Sequence, residues 1–103
     1  GDTVLPINNT NSYSVSNVIF TNASTSLTTA AAGLFTAPSA GGTGIVANAA
    51  LSALTGSTVV SQRTVASTAL QTGGNLYVNV GTAQGAAATM DVYVYGYDLS
   101  FLP

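Results

Sequence analysis

The chain has very few charged side chains. It contains no lysine, glutamate, histidine or cysteine, and its charges are three aspartates and one arginine among 103 residues. One arginine and a net charge of -2 cannot neutralise a phosphate backbone, so nucleic-acid binding is not expected. A free domain normally carries roughly 25% charged residues, whereas this chain carries 4%. We therefore expect it to cover part of its surface with copies of itself or with a partner.

Other functions are excluded by the same missing groups. The longest apolar stretch, 45–54, is interrupted by Asn48 and Ser52 and is shorter than the roughly 18 residues of a membrane span. Without histidine, lysine or glutamate, the many serines and threonines lack a general base. Asp91 and Asp98 fall on opposite faces of one strand because their separation is odd. We expect no membrane contact, no enzymatic activity, no cofactor and no metal site.

The clearest pattern lies in residues 75–97, where two segments alternate with the period of a β-strand. The small-residue stretch 81–88 between them predicts an antiparallel hairpin. One face of this hairpin is then aliphatic and belongs to the core, and it carries Leu76, Val78, Val80, Met90, Val92 and Val94. The other face is polar and aromatic, and it carries Tyr77, Asn79, Asp91, Tyr93, Tyr95 and Tyr97.

The rest of the chain predicts about seven or eight short strands separated by Gly, Asn and Ser turns. Tyr13–Thr21 is a strand whose alternation changes phase near Asn17, which predicts a β-bulge. Further strands are predicted at 26–30, 33–37, 45–47, 57–65 and 68–70. A short helix or helical turn is predicted near Asn48 to Thr55 because of its alanines and its spaced leucines. These elements predict an all-β fold, an antiparallel β-sandwich or a barrel, over one domain at 13–103.

Two alternatives remain for residues 1–12, an apolar patch of Val4, Leu5 and Ile7 followed by a polar link. The segment is either an edge strand of the domain's own sheet, where Pro6 is tolerated, or an extended N-terminal arm that packs on a neighbouring subunit. At the other end, Phe101 belongs to a short apolar tail and is a second candidate for an interface.

Arg63 and the tyrosines each have two interpretations. Arg63 is either a solvated residue of a strand, or it pairs with Asp91 or Asp98 within the subunit or across an interface. Tyr77, Tyr93, Tyr95 and Tyr97 form either a packing surface for another layer or subunit, or a platform for carbohydrate.

Several segments together resemble small structural proteins of tailed bacteriophages, in particular capsid decoration, or cement, proteins. The segments that carry the resemblance are Asn17–Ser24, Leu27–Ala30, Gly33–Thr36, Leu51–Thr55, Leu76–Gly85 and Val92–Asp98. The resemblance covers roughly Tyr13 to Ser100 and is compositional. It implies a jelly-roll β-sandwich, commonly a homotrimer, bound to the major capsid protein on the outer capsid surface of the virion and made in the host cytoplasm.

The leading hypothesis is therefore a structural virion protein that stabilises a bacteriophage capsid by binding across neighbouring capsid subunits. The alternative is a receptor- or glycan-binding module of a phage fibre or an adhesin, which the tyrosines favour. The candidate interface residues are Val4, Leu5, Ile7, Arg63, Tyr77, Asp91, Tyr93, Tyr95, Tyr97 and Phe101.

Overall fold

The protein folds into two antiparallel sheets. The structure is a computed structural model that describes residues 2–7, 12–52, 54–55, 57, 59–85 and 87–99. The strands are β1 (Asp2–Pro6), β2 (Tyr13–Thr21), β3 (Ala31–Ala37), β4 (Gly41–Ala50), β5 (Val60–Arg63), β6 (Asn75–Thr82) and β7 (Asp91–Asp98). The four-stranded sheet has the order β1-β6-β3-β4, and the three-stranded sheet has the order β5-β2-β7. This arrangement confirms the predicted all-β sandwich.

A single hydrophobic core lies between the two sheets. Phe20 of β2, Leu34 of β3, Ile45 of β4 and Leu76 of β6 are all completely buried there. Each such side chain contributes about 1.5–3 kcal/mol when it leaves water. The inward residues of β7, Val92 and Val94, pack against this core and are partly buried. The aliphatic residues of the 75–97 region therefore face the core, as their alternation predicts.

The predicted hairpin between the two halves of 75–97 is wrong. β6 pairs with β1 and β3 in one sheet, whereas β7 pairs with β2 in the other. The connection between them crosses from sheet to sheet, and Gln84 anchors it because its Oε1 accepts hydrogen bonds from the Thr29 amide at 3.1 Å and from Thr29 Oγ1 at 3.2 Å. Alternation identifies the face of a strand and not its neighbours, so the error concerns pairing alone.

The described residues near Asn48 to Thr55 form no helix, and only a single turn, closed by the Leu54 amide donating to the Leu51 carbonyl at 2.9 Å, remains of that prediction. Asn48 and Ala49 belong to β4, which continues to Ala50, and no helix occurs among the described residues. Pairing of Ala31 with Ala50 and of Ala32 with Ala49 extends the strand, so tertiary contacts outweigh the helix propensity of alanine. The predicted strands at 26–30 and 68–70 do not form either; Gln71 makes an isolated bridge with Tyr13.

The N-terminal segment follows the first of its two alternatives. Asp2–Pro6 form β1, an edge strand that pairs antiparallel with β6. The bulge predicted near Asn17 in the strand Tyr13–Thr21 is confirmed by a register shift between Val15 and Asn17 in the pairing of β2 with β7.

Gly33 allows β3 and β4 to approach each other at an irregularity in their register. The pairing shifts between Ala32 and Leu34, which leaves Gly33 facing the backbone of two β4 residues. A Cβ atom added at Gly33 lies 2.5 Å from the carbonyl oxygen of Val46 and 2.8 Å from the amide nitrogen of Asn48. Both neighbours are backbone atoms, so they cannot rotate away.

We predict that Gly33→Ala lowers the free energy of unfolding by about 1–3 kcal/mol, because it forces two paired strands apart. Urea denaturation followed by circular dichroism measures the change. Gly74→Ala is the matched control, since a Cβ atom at Gly74 meets nothing within 4 Å. Equal stability of the two variants would contradict the close approach of β3 and β4.

Candidate interaction surfaces

The described residues contain no group of three or more His, Cys, Asp or Glu side chains that could hold a metal ion. A search of the same residues for an apolar helix of membrane-spanning length found none.

The outer face of the three-stranded sheet carries an exposed aromatic surface. This tyrosine face consists of Tyr93, Tyr95 and Tyr97 of β7, beside Ile19 of β2 and Val60 of β5. The exposed fractions of the three tyrosines are 48%, 49% and 66%. Ile19 lies directly opposite Tyr93, and Val60 is 53% exposed. About half or more of the surface of each of the three tyrosines therefore remains available to a partner.

Polar groups border the tyrosine face. Gln62 Nε2 donates to Asn17 Oδ1 at 3.0 Å, and this pair lies beside Ile19 on β5 and β2. At the end of β7, Asp91 is exposed, and its Oδ2 accepts a hydrogen bond from Asn22 Nδ2 at 3.1 Å. The face thus combines rings with amide and carboxylate groups at its margin.

Tyr77 and Val4 lie on a different surface from the other candidate tyrosines. They are directly opposite each other on β6 and β1, and Tyr77 is also opposite Phe35 of β3, on the outer face of the four-stranded sheet. Phe35 is only 8% exposed and Tyr77 is half-buried. The polar and aromatic face predicted for residues 75–97 is thus divided between the two outer faces of the sandwich, because β6 and β7 belong to different sheets.

Leu5 and Ile7 pack against the hydrophobic core and are only partly exposed. The Ile7 amide donates to the Gly74 carbonyl at 2.7 Å, which holds the end of β1 beside the turn before β6. Phe101, the remaining apolar candidate, lies outside the described residues.

Arg63, the only cation of the chain, lies on the inward side of β5. It is opposite the buried Val18, and its guanidinium carbon is 5.5 Å from the centre of the Phe20 ring, a cation–π distance. Its Nη1 donates to Ser61 Oγ at 3.2 Å and its Nη2 to the Ala50 carbonyl at 3.4 Å. The hydrogen bond to Ala50 joins β5 to β4. The structure shows no ion pair of Arg63 with Asp91 or Asp98 in the described part of the chain.

An open cleft of about 570 Å³ separates the two sheets on the side of β1 and β7. Leu5 of β1, Val78 and Val80 of β6, and Met90 and Val92 at the start of β7 line it. A smaller cavity of about 210 Å³ lies further along β7, between Ile7 and Leu76 on one side and Val94 and Gly96 on the other. The apolar interior is thus accessible along one edge of the sandwich.

Comparisons of the chain with known protein families, with curated proteins and with solved structures found no match.

The carboxylate of Asp2 holds β1, the strand that forms one wall of the cleft, in place through two hydrogen bonds. Its Oδ1 accepts a hydrogen bond from Asn79 Nδ2 at 2.9 Å, and its Oδ2 accepts one from the Ser39 amide at 3.0 Å. The Asn79 side chain and then the Ser39 amide lower the pKa of Asp2 below its ordinary value of 3.8. Neither Asp2 nor the cleft was predicted from the sequence, because both depend on which strands lie side by side.

We predict that β1 loosens in acid. The pKa of Asp2 is lowered in the folded state, so its contribution is complete above the ordinary value of 3.8 and is lost as the pH falls through the lowered value. The chemical shift of the Ser39 amide, followed by NMR from pH 6 to pH 2, should titrate with a midpoint below 3.8. Asp2→Asn should abolish this titration and Asp91→Asn should leave it unchanged; persistence of the titration in Asp2→Asn would contradict the contact.

Proposed function

We propose that this protein decorates and stabilises the outer surface of a bacteriophage capsid, binding across neighbouring capsid subunits as a homo-oligomer. The observation that carries the proposal is the combination of a nearly uncharged chain with an exposed tyrosine face on a β-sandwich. Burying uncharged surface avoids the cost of desolvating unpaired ions. Tyrosine is among the residues that contribute most to protein interfaces.

The resemblance of the sequence to cement proteins supports the particular surface and the jelly-roll topology, and it implies a homotrimer. A symmetric oligomer multiplies a modest contact, because each attached copy holds the others near the capsid at high effective concentration. This role requires no catalytic group, so the protein is proposed to be a structural component of the virion and not an enzyme.

We expect the purified protein to bind undecorated phage heads and to raise the temperature at which the heads rupture. Co-sedimentation and light scattering during heating measure the two effects. The double substitution Tyr93→Ser and Tyr95→Ser should weaken binding about tenfold or more, because it removes two large contact side chains.

Val4→Ser is the matched control for that experiment. Val4 is 48% exposed and lies on the outer face of the four-stranded sheet, on the opposite side of the sandwich from the tyrosine face, so its loss should leave head binding unchanged. Absence of binding by the unaltered protein would refute the proposed function. Equal binding by the double variant would show that the tyrosine face is not the docking surface.

The second candidate function is a glycan-binding module of a fibre or adhesin. The observation that favours it is the pair Asn17 and Gln62 beside half-exposed tyrosine rings, since amides and aromatic faces together suit sugars. On a glycan array, such a module would bind specific sugars and lose them in Tyr93→Ala and Tyr95→Ala. The decoration protein should bind none, so specific binding that both variants lose would favour the second candidate.

A further inference from the structure

The four strands at sheet edges differ in how well they are protected from pairing with another chain. β1 has five residues and includes Pro6, β5 has four residues and includes Arg63, and β4 pairs irregularly with β3 at three places. Proline, charge, short length and bulges all discourage pairing at an edge. β7 has eight residues with no proline, and its charges are confined to its two ends at Asp91 and Asp98. It is thus the least protected edge.

Alternate residues of β7 direct their backbone N–H and C=O groups away from β2, toward the open edge of the sheet. Ser16 Oγ donates to the Tyr95 carbonyl at 3.1 Å, which shows that this carbonyl points toward β2. Because successive residues of a strand direct their backbone groups to opposite sides, those of Val92, Val94 and Gly96 point away from β2. Within the described residues, no strand pairs with that side of β7.

Among the described strands, none of the three-stranded sheet lies opposite β1. The edges formed by β4 and β5 lie together, because the Ala66 amide donates to the Ile45 carbonyl at 2.7 Å and Arg63 contacts Ala50. When the two sheets are aligned from the β4 and β5 edges, β2 lies over β3 and β7 lies over β6. β1, the fourth strand of the larger sheet, therefore extends beyond β7. The open cleft of about 570 Å³ lies beneath this overhang.

We propose that β7 binds an extended peptide segment of another protein as a fourth strand of its sheet, with alternate apolar side chains entering the open cleft. Backbone hydrogen bonds to Val92, Val94 and Gly96 hold the segment, and apolar side chains in the cleft select it, as in other cases of strand addition. The segment runs antiparallel to β7, as every described strand pair does.

Charge further defines the segment. Asp91 and Asp98 stand at the two ends of β7 and are both exposed, whereas most of the side chains that line the cleft between them are apolar. A segment with an uncharged, alternating centre and a basic residue near each end therefore complements the edge. Attribution of this segment to a capsid subunit rests on the proposed function, whereas the addition of a strand to β7 does not.

A second copy of the whole sandwich fits this edge poorly. If β7 paired with β7 of a second copy, the β1 strand of each copy would project over the β7 strand of the other. That space is already filled by the other copy's β6, so the two copies would clash. An isolated extended segment has no such obstacle, which is why the partner is a peptide arm and not a folded domain.

The experiment uses a blocked peptide of alternating valine and threonine with a lysine at each end, titrated into the isotope-labelled protein and followed by NMR. We expect saturable shifts and slowed hydrogen exchange at the amides of Val92, Val94 and Gly96. A peptide with serine in place of valine should bind at least about tenfold more weakly, because it leaves the cleft unfilled. Equal binding of both peptides, or shifts confined to other strands, would overturn the proposal.

Charge reversal tests the ends of the edge. Asp91→Lys should weaken the lysine-flanked peptide about fivefold and strengthen a glutamate-flanked peptide by a similar factor. Ala47→Lys adds the same charge at an exposed position of β4, the edge strand of the other sheet on the side away from β7, and should change neither affinity. Concentration-dependent protection of the β7 amides without peptide would show that a second copy occupies the edge and would overturn the proposal. Peptide binding by a protein that ignores phage heads would refute the capsid function and leave the strand addition intact.

Discussion

The burial of one apolar face by each of two sheets is the constraint on which the rest of the structure depends. Phe20, Leu34, Ile45 and Leu76 occupy the space between the sheets and are completely buried. Five of the six connections between consecutive strands cross from one sheet to the other. Most strands that are consecutive in the chain therefore contact each other through this core and not through backbone pairing. The sheets contain four and three strands, so the core is closed where β4 and β5 meet and open between β1 and β7.

The inward and outward faces of the strands could be predicted from alternation, whereas the partners of the strands could not. Leu76 and Val92 face the core as expected, and the phase change near Asn17 corresponds to an observed bulge. The expected hairpin failed because two adjacent alternating segments carry no information about pairing with strands far away in the chain. The expected helix failed for a related reason, since the pairing of Ala49 and Ala50 with β3 outweighed a weak local preference.

For the candidate site too, the faces of the strands could be predicted from the sequence and their neighbours could not. Exposure of Tyr93, Tyr95 and Tyr97 was implied by their shared face, but the separation of Tyr77 from them arose from sheet membership. Arg63 was expected in solvent or at a carboxylate of the same or a neighbouring subunit. Within the subunit it contacts Phe20 and Ala50, because the register of β5 directs it inward, and its pairing across an interface stays a prediction. The open cleft and the fastening of β1 by Asp2 are products of the assembled sheets.

The exposed tyrosines and the least protected edge both occur on β7, which makes this strand the centre of the proposed interactions. Electron cryomicroscopy of the protein bound to a phage head tests that account most directly. We predict density for the sandwich across neighbouring capsid subunits, with the tyrosine face toward the capsid and an extended capsid segment beside β7. A particle in which β7 and the tyrosine face point into solvent, or one to which the protein does not bind, would contradict it.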